Sequence, residues 1–128
     1  MRGQGVLVVE DDPDLLALVE MILRDAGYAV AVASDGAQAL VRLAERMPGV
    51  ILLDMRMPVM NGWEFAREYR ARYGHPAPVV VVTAAEDARA RAAEIGADAW
   101  MEKPFELDDV VRMVERFLRP SGPTAAAP

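Results

Sequence analysis

VLVVEDDPDLLALVEMILRDAG, residues 6–27, holds in one pass the unit from which the rest of the chain is built. Val6–Val9 is aliphatic at every position, so no side chain is left to face water. That is the pattern of a strand buried on both faces, as in a parallel sheet covered by helices. Glu10, Asp11 and Asp12 end it. Asp12 then suits an N-cap, Pro13 the first helical position and Gly27 a left-handed stop. Between them the apolar residues at 15, 16, 18, 19, 22, 23 and 26 keep a one-sided helical period. The same alternation recurs. Further Val-rich runs lie at 29–33, Val50–Leu53 and 79–82, with a weaker one at 97–101. The run at 29–33 alternates Ala with Val and fits an edge. Helical patterns follow at 34–47, capped by Ser34 and ended by Pro48, and beyond Gly62, where Phe65 and Tyr69 share a face. Two more lie at 86–95, stopped by Gly96, and at 106–118. The expected fold class is α/β, a five-stranded, doubly wound parallel sheet of (βα)5 form with right-handed crossovers.

Composition narrows the function. The 128 residues make one domain at roughly 100–200 residues per domain. With no Cys there is no disulfide, thiolate metal site or Cys nucleophile, and a lone His excludes a multi-His zinc site. The net charge of −6 opposes a nucleic-acid surface, which would be basic. No apolar run approaches the roughly 20 residues of a membrane span, and the N-terminus lacks a signal-peptide core, so the expected location is cytoplasmic. The domain is expected over 1–119, with 120–128 a disordered Pro/Ala-rich tail or linker.

In an open parallel sheet, ligands bind at the carboxyl ends of the strands. There this chain places Glu10, Asp11 and Asp12 after the first strand and Asp54 after the third. Thr83 follows the fourth, and Glu102 and Lys103 the fifth. Grouped carboxylates repel and raise one another's pKa unless cations intervene. Lys103 is one. A hard divalent ion such as Mg²⁺, held by carboxylates and phosphate oxygens, is another. An aspartate at such a rim can act as nucleophile and form an aspartyl-phosphate. Phosphoryl transfer then needs mainly positioning and charge neutralisation. Asp12 fits a cap better than a ligand. His75, in a Gly-His-Pro loop, and Arg67, Arg70, Arg72, Arg89 and Arg91 read as solvated. Trp63 reads as a partly exposed aromatic at a helix start.

Four motifs stand in order at these strand ends: VLVVEDD, DMRMPVMNG (54–62), VVVVTAA and MEKPF. Together they resemble the receiver domain of two-component response regulators, over about residues 4–119. The resemblance implies a flavodoxin-like fold with strand order 2-1-3-4-5. It implies Asp54 as phosphoacceptor, Asp11 as direct Mg²⁺ ligand (Mn²⁺ as an alternative), Glu10 as second acid, and Arg56 lending its backbone carbonyl to the metal. It further implies Lys103 and Thr83 as phosphoryl-binding residues, Pro104 after a cis bond, and Arg56 and Ala85 as positions that tune the lifetime of the phosphoryl group. Trp100 stands at the family's aromatic switch position, usually Tyr or Phe; switching and static packing are both open for it. Asn61 stands where many members have Asp.

The expected function is that of a phosphorylation-controlled signalling switch. A sensor histidine kinase or phosphotransfer protein docks near the first helix and phosphorylates Asp54. The face of the fourth helix, fifth strand and fifth helix then changes its binding of a downstream protein. The chain catalyses its own phosphorylation and slow dephosphorylation, with Asp54 and Lys103 as the catalytic pair, and turns over no external substrate. It is expected to bind no nucleic acid or membrane directly and to be a monomer or weak dimer. It acts either by binding a partner itself or as the receiver module of a longer chain.

Overall fold

A computed structural model describes residues 5–84 and 87–118. Five strands alternate with five helices: β1 (Val6–Val9), α1 (Pro13–Asp25), β2 (Val30–Ala33), α2 (Gly36–Glu45), β3 (Val50–Leu53), α3 (Gly62–Tyr73), β4 (Val79–Ala84), α4 (Ala88–Ile95), β5 (Ala99–Lys103) and α5 (Leu107–Glu115). All strand pairs are parallel, and the order is β2-β1-β3-β4-β5, as expected. The Ala/Val run does form an edge, as β2.

The pleat divides the apolar runs between two cores. Val6, Val8, Val50, Leu52, Val80 and Val82 face one side, where Val19 and Leu23 of α1 and Val110 and Val114 of α5 cover them. Leu7, Val9, Ile51, Leu53, Val79 and Val81 face the other, under α2, α3 and α4. The shared face of Phe65 and Tyr69 lies in this second core, the rings stacked with centroids 5.8 Å apart. Burying both faces explains why Val6–Val9, Val50–Leu53 and Val79–Val82 carry no polar position.

Helix boundaries follow local chemistry. Asp12 caps α1, its side chain accepting from the backbone N–H of Asp14 and Leu15. Gly27 takes φ +99° and Gly96 φ +65°, the left-handed stops expected. Asn61 closes a reciprocal capping box with Glu64 at the start of α3. Several expectations are corrected. Asp35, not Ser34, caps α2: its carboxylate accepts from Gln38 N at 2.8 Å, while Ser34 N donates to the Gln38 side chain. α2 ends at Glu45 and α5 at Glu115, short of Met47 and Leu118. β5 begins at Ala99 and runs to Lys103, two residues later than expected, because Ala97 N closes onto Ala92 O and Asp98 N joins Val79 O before the strand opens. α4 starts at Ala88; Glu86, its expected start, lies outside the described residues, as do Ala85 and the tail 119–128.

Besides Arg72, which pairs with Glu68 one turn away at 3.1 Å, three side chains read as solvated are engaged across the fold. His75 Nε2 lies 2.8 Å from Asp98 Oδ2, and its ring packs on Tyr69. Arg70 donates to the carbonyls of Ile95 and Gly96, tying α3 to the end of α4. Arg91 packs over Trp63 and pairs with Glu94. At the β2 edge, the outward carbonyls of Val30 and Val32 accept from Arg24 at 2.8 Å and Arg42 at 3.0 Å. These guanidinium groups blunt an edge that would otherwise be open to another strand. Among the described residues, no helix is long and apolar enough to cross a membrane.

Candidate functional site

The topology brings the carboxyl ends of β1, β3 and β5 together, and the expected residues with them. Glu10, Asp11 and Asp54 each offer a carboxylate oxygen within 4.8 Å of the others. Asp54 is placed by its own backbone, its N–H donating to Val9 O at 3.0 Å and so tying the end of β3 to β1. Arg56 N donates to Asp54 Oδ1 at 3.3 Å, folding the following loop back over the carboxylate. Glu10 Oε2 accepts from Asp12 N at 3.0 Å, which fixes the first acid. Lys103 Nζ spans the two buried acids, 2.8 Å from Glu10 Oε1 and 3.3 Å from Asp54 Oδ2. It is the last residue of β5 and joins Pro104 through a cis peptide bond. Thr83 is buried near the end of β4, beside the strand that carries Asp54, and pairs in register with Glu102.

A glycine permits this closeness. A Cβ on Gly62 would lie 2.6 Å from Met55 Sδ, 2.7 Å from Met55 Cα and 3.0 Å from Asp54 O. The first turn of α3 thus rests directly on the backbone of the Asp54 segment, which only a hydrogen side chain allows.

Burial sets the electrostatics. Glu10 and Asp54 are each 5% exposed. Loss of hydration pushes the Glu10 carboxyl up to about 7, against the hydrogen bonds from Lys103 and Asp12 N that favour its charged form. It raises Asp54 as well, with the Lys103 charge opposing. For Lys103, burial works to lower the pKa, but its hydrogen bond to Glu10 and the charges of Asp54 and Glu10 win, and the ammonium is held above its ordinary range. With all three carboxylates ionised, one ammonium leaves two negative charges unmatched, and for the buried Glu10 and Asp54 unpaired charge is costly. All-oxygen donors and a missing double charge fit a hard divalent cation.

Of the remaining expected residues, Trp100 is on β5 in register with Val81 and 43% exposed, so its indole is not packed in the core. The Arg56 side chain leaves the site for an ion pair with Asp87 at 3.3 Å, over the ring of Trp63. Sequence reasoning missed Asp87, Arg91 and Glu94, which hold that ring and that guanidinium. They lie 24 to 38 residues from Arg56 and Trp63 in the chain, and no local pattern marks the pairing. Ala85 lies outside the described residues.

Comparisons with known proteins agree with this geometry. Residues 6–115 match the response regulator receiver domain. The chain is 43% identical over 124 residues to the transcriptional regulatory protein PrrA of Mycobacterium tuberculosis, covering 95% of this chain and 53% of PrrA. It is 40% identical over 118 residues to the DNA-binding response regulator MtrA of Mycolicibacterium smegmatis, covering 91% of this chain and 51% of MtrA. The chain thus spans about half the length of these relatives. Among solved structures, chemotaxis protein CheY4 of Vibrio cholerae superposes with a TM-score of 0.80 at 32% identity, over 91% of this chain and 99% of that one. The receiver domain of sensor histidine kinase PA1611 of Pseudomonas aeruginosa, with a magnesium ion coordinated in its active-site cleft, gives 0.77 at 38% identity, over 90% and 97%. With this strand order and acidic rim, the chain belongs to the response regulator receiver-domain family of two-component systems.

Proposed function

We propose that the chain is a phosphorylation-controlled switch in which Asp54 accepts a phosphoryl group from a phosphohistidine of a sensor kinase or phosphotransfer protein. The observation that carries this reading is the bridge of Lys103 between Glu10 and Asp54 beside the third acid, Asp11. A carboxylate oxygen of Asp54 attacks phosphorus, and the bond to the histidine nitrogen breaks with its electron pair returning to the imidazole. The product is an aspartyl-phosphate. Lys103, already within 3.3 Å of Asp54 Oδ2, pairs with the transferred phosphoryl oxygens. The Thr83 hydroxyl donates to the new group, and its recruitment changes the α4–β5–α5 face, with exposed Trp100 at its centre. Glu10 and Asp11, with Asp54 and the Arg56 carbonyl, would hold Mg²⁺, which when bound neutralises carboxylate and phosphoryl charge.

The exposed Leu18 and Met21 on α1 offer the kinase an apolar docking surface. No external substrate is turned over; hydrolysis of the aspartyl-phosphate resets the switch, with Arg56 and Ala85 setting its lifetime. As PrrA and MtrA are named as transcriptional and DNA-binding regulators, the phosphorylated face would govern an output of that kind, without the receiver itself touching DNA.

The test is incubation with acetyl phosphate, with and without Mg²⁺, read by intact-protein mass. Wild type is expected to gain one phosphoryl group only with the cation, and Asp54→Asn to gain none. Equal mass in both proteins under all conditions refutes the proposal.

A further inference from the structure

Arg56 follows Asp54 by two residues and borders, with Asp11 and Trp63, the same open cleft beside the carboxylates. A guanidinium on so flexible a stem is a natural partner for three carboxylates that have one ammonium among them. It is engaged elsewhere. Arg56 Nη2 lies 3.3 Å from Asp87 Oδ2 at the head of α4, and its Cζ stands 5.8 Å from the centroid of the Trp63 ring. The ring is itself fixed, its Nε1 donating to Glu94 Oε1 at 2.7 Å with Arg91 packed over it at 5.7 Å. A cation over an indole is attracted to the ring's negative face, and the attraction adds to the ion pair.

We propose that Trp63 and Asp87 are positioning residues that hold the Arg56 guanidinium off the Glu10–Asp11–Asp54 cluster and so keep the cluster open to a divalent cation. The inference rests on reading that cluster as a cation site. Released from Trp63 or Asp87, the guanidinium takes the carboxylate oxygens as its next partners, and it competes with the metal for them. At a separation of ~6 Å in a water-like dielectric, repulsion between +1 and +2 amounts to about tenfold in affinity, and less once salt screens it.

The experiment measures Mn²⁺ affinity of the full chain by water-proton relaxation, with Mg²⁺ affinity from competition. Neither needs phosphorylation. Trp63→Leu and Asp87→Asn are each expected to bind Mn²⁺ several-fold to about tenfold more weakly than wild type. Adding Arg56→Ala to either is expected to restore the affinity of the Arg56→Ala single variant within about twofold, since no guanidinium then remains to compete. Asp87→Asn keeps the size of a half-buried surface residue, so the test stands even if loss of the indole disturbs folding. Wild-type affinity in both single variants overturns the inference. So does a loss that persists after Arg56→Ala, which would make Trp63 merely structural. A wild type that binds no Mn²⁺ refutes the cation reading and the inference with it, and that result is distinguished by the wild type alone.

Discussion

Gly62→Ala tests whether the backbone approach beneath Asp54 is as tight as the geometry requires. The added methyl carbon would meet Met55 Cα at 2.7 Å and Asp54 O at 3.0 Å, overlaps that side-chain rotation cannot relieve. Insertion of one methyl into a filled space costs about 1–3 kcal/mol. The better helix propensity of Ala returns at most about 1 kcal/mol, and less at the first position of a helix. The expected net loss is ~1–2 kcal/mol, or a Tm lower by roughly 3–10 °C for a domain of this size. The assay is urea unfolding followed by circular dichroism, with Mn²⁺ affinity measured alongside, since the atoms displaced belong to the segment that carries Asp54, a residue of the proposed cation site. Met55→Ala in the same chain removes the 2.6 Å clash with Sδ but leaves the backbone of residue 55 where it was, so it should not rescue stability. Gly74→Ala is the comparator: it has φ +78° with ψ −108° and nothing within 4 Å, so its cost, at least ~1–2 kcal/mol, comes from the positive-φ backbone alone, leaving Mn²⁺ affinity unchanged. A Gly62→Ala protein as stable as wild type, or one rescued by Met55→Ala, refutes the reasoning.

Other perturbations probe the scaffold. Tyr69→Phe deletes a hydroxyl that donates to Ala77 O at 2.7 Å and accepts from Ala77 N at 2.8 Å; with both backbone groups stranded, a loss of ~2–3 kcal/mol is expected in urea unfolding. Asp35→Ala should cost ~1 kcal/mol through the lost cap of α2, whereas Ser34→Ala should leave the urea midpoint unchanged, and the reverse order would restore Ser34 as the cap. Burial, then the nearby Glu115 charge, raises the Tyr28 hydroxyl above its ordinary 10.0. Because the folded pKa exceeds the unfolded one, this contribution is whole below pH ~10 and is lost as pH climbs through the folded value. The stability gap between wild type and Tyr28→Phe should therefore move against wild type between pH 9 and pH ~11, and a gap constant with pH would contradict the assignment.

Strands and site were legible in the sequence for the same physical reason. Burial on both faces makes Val6–Val9 and Val50–Leu53 wholly apolar, so the first polar residue after each run, Glu10 or Asp54, marks the rim. Legibility failed where neighbours compete on equal terms. Ser34 and Asp35 are both good caps, and only the path of the chain selects the carboxylate. At β5, Ala97 and Asp98 resemble strand residues but are spent on closing α4 and anchoring Val79. The partners of Trp63, Arg70 and His75 were illegible because each is met across the fold: Trp63 by Glu94, Arg70 by Ile95 and Gly96, His75 by Asp98. Their periodicity looks the same whether or not a partner stands opposite.

The bridge of Lys103 to Glu10 and Asp54 also bears on when the protein becomes competent during its synthesis. The acids directly follow the first and third strands, but their counter-ion comes 49 residues after Asp54, at the end of the strand at the far edge of the sheet. A nascent chain emerging at about 5–20 residues per second would hold both acids for several seconds before the lysine that balances them exists. Over that interval the rim carries uncompensated charge, which favours an open and hydrated arrangement. The last strand therefore both completes the sheet and brings the cation that lets two carboxylates be buried, so acquisition of the site and completion of the sheet coincide.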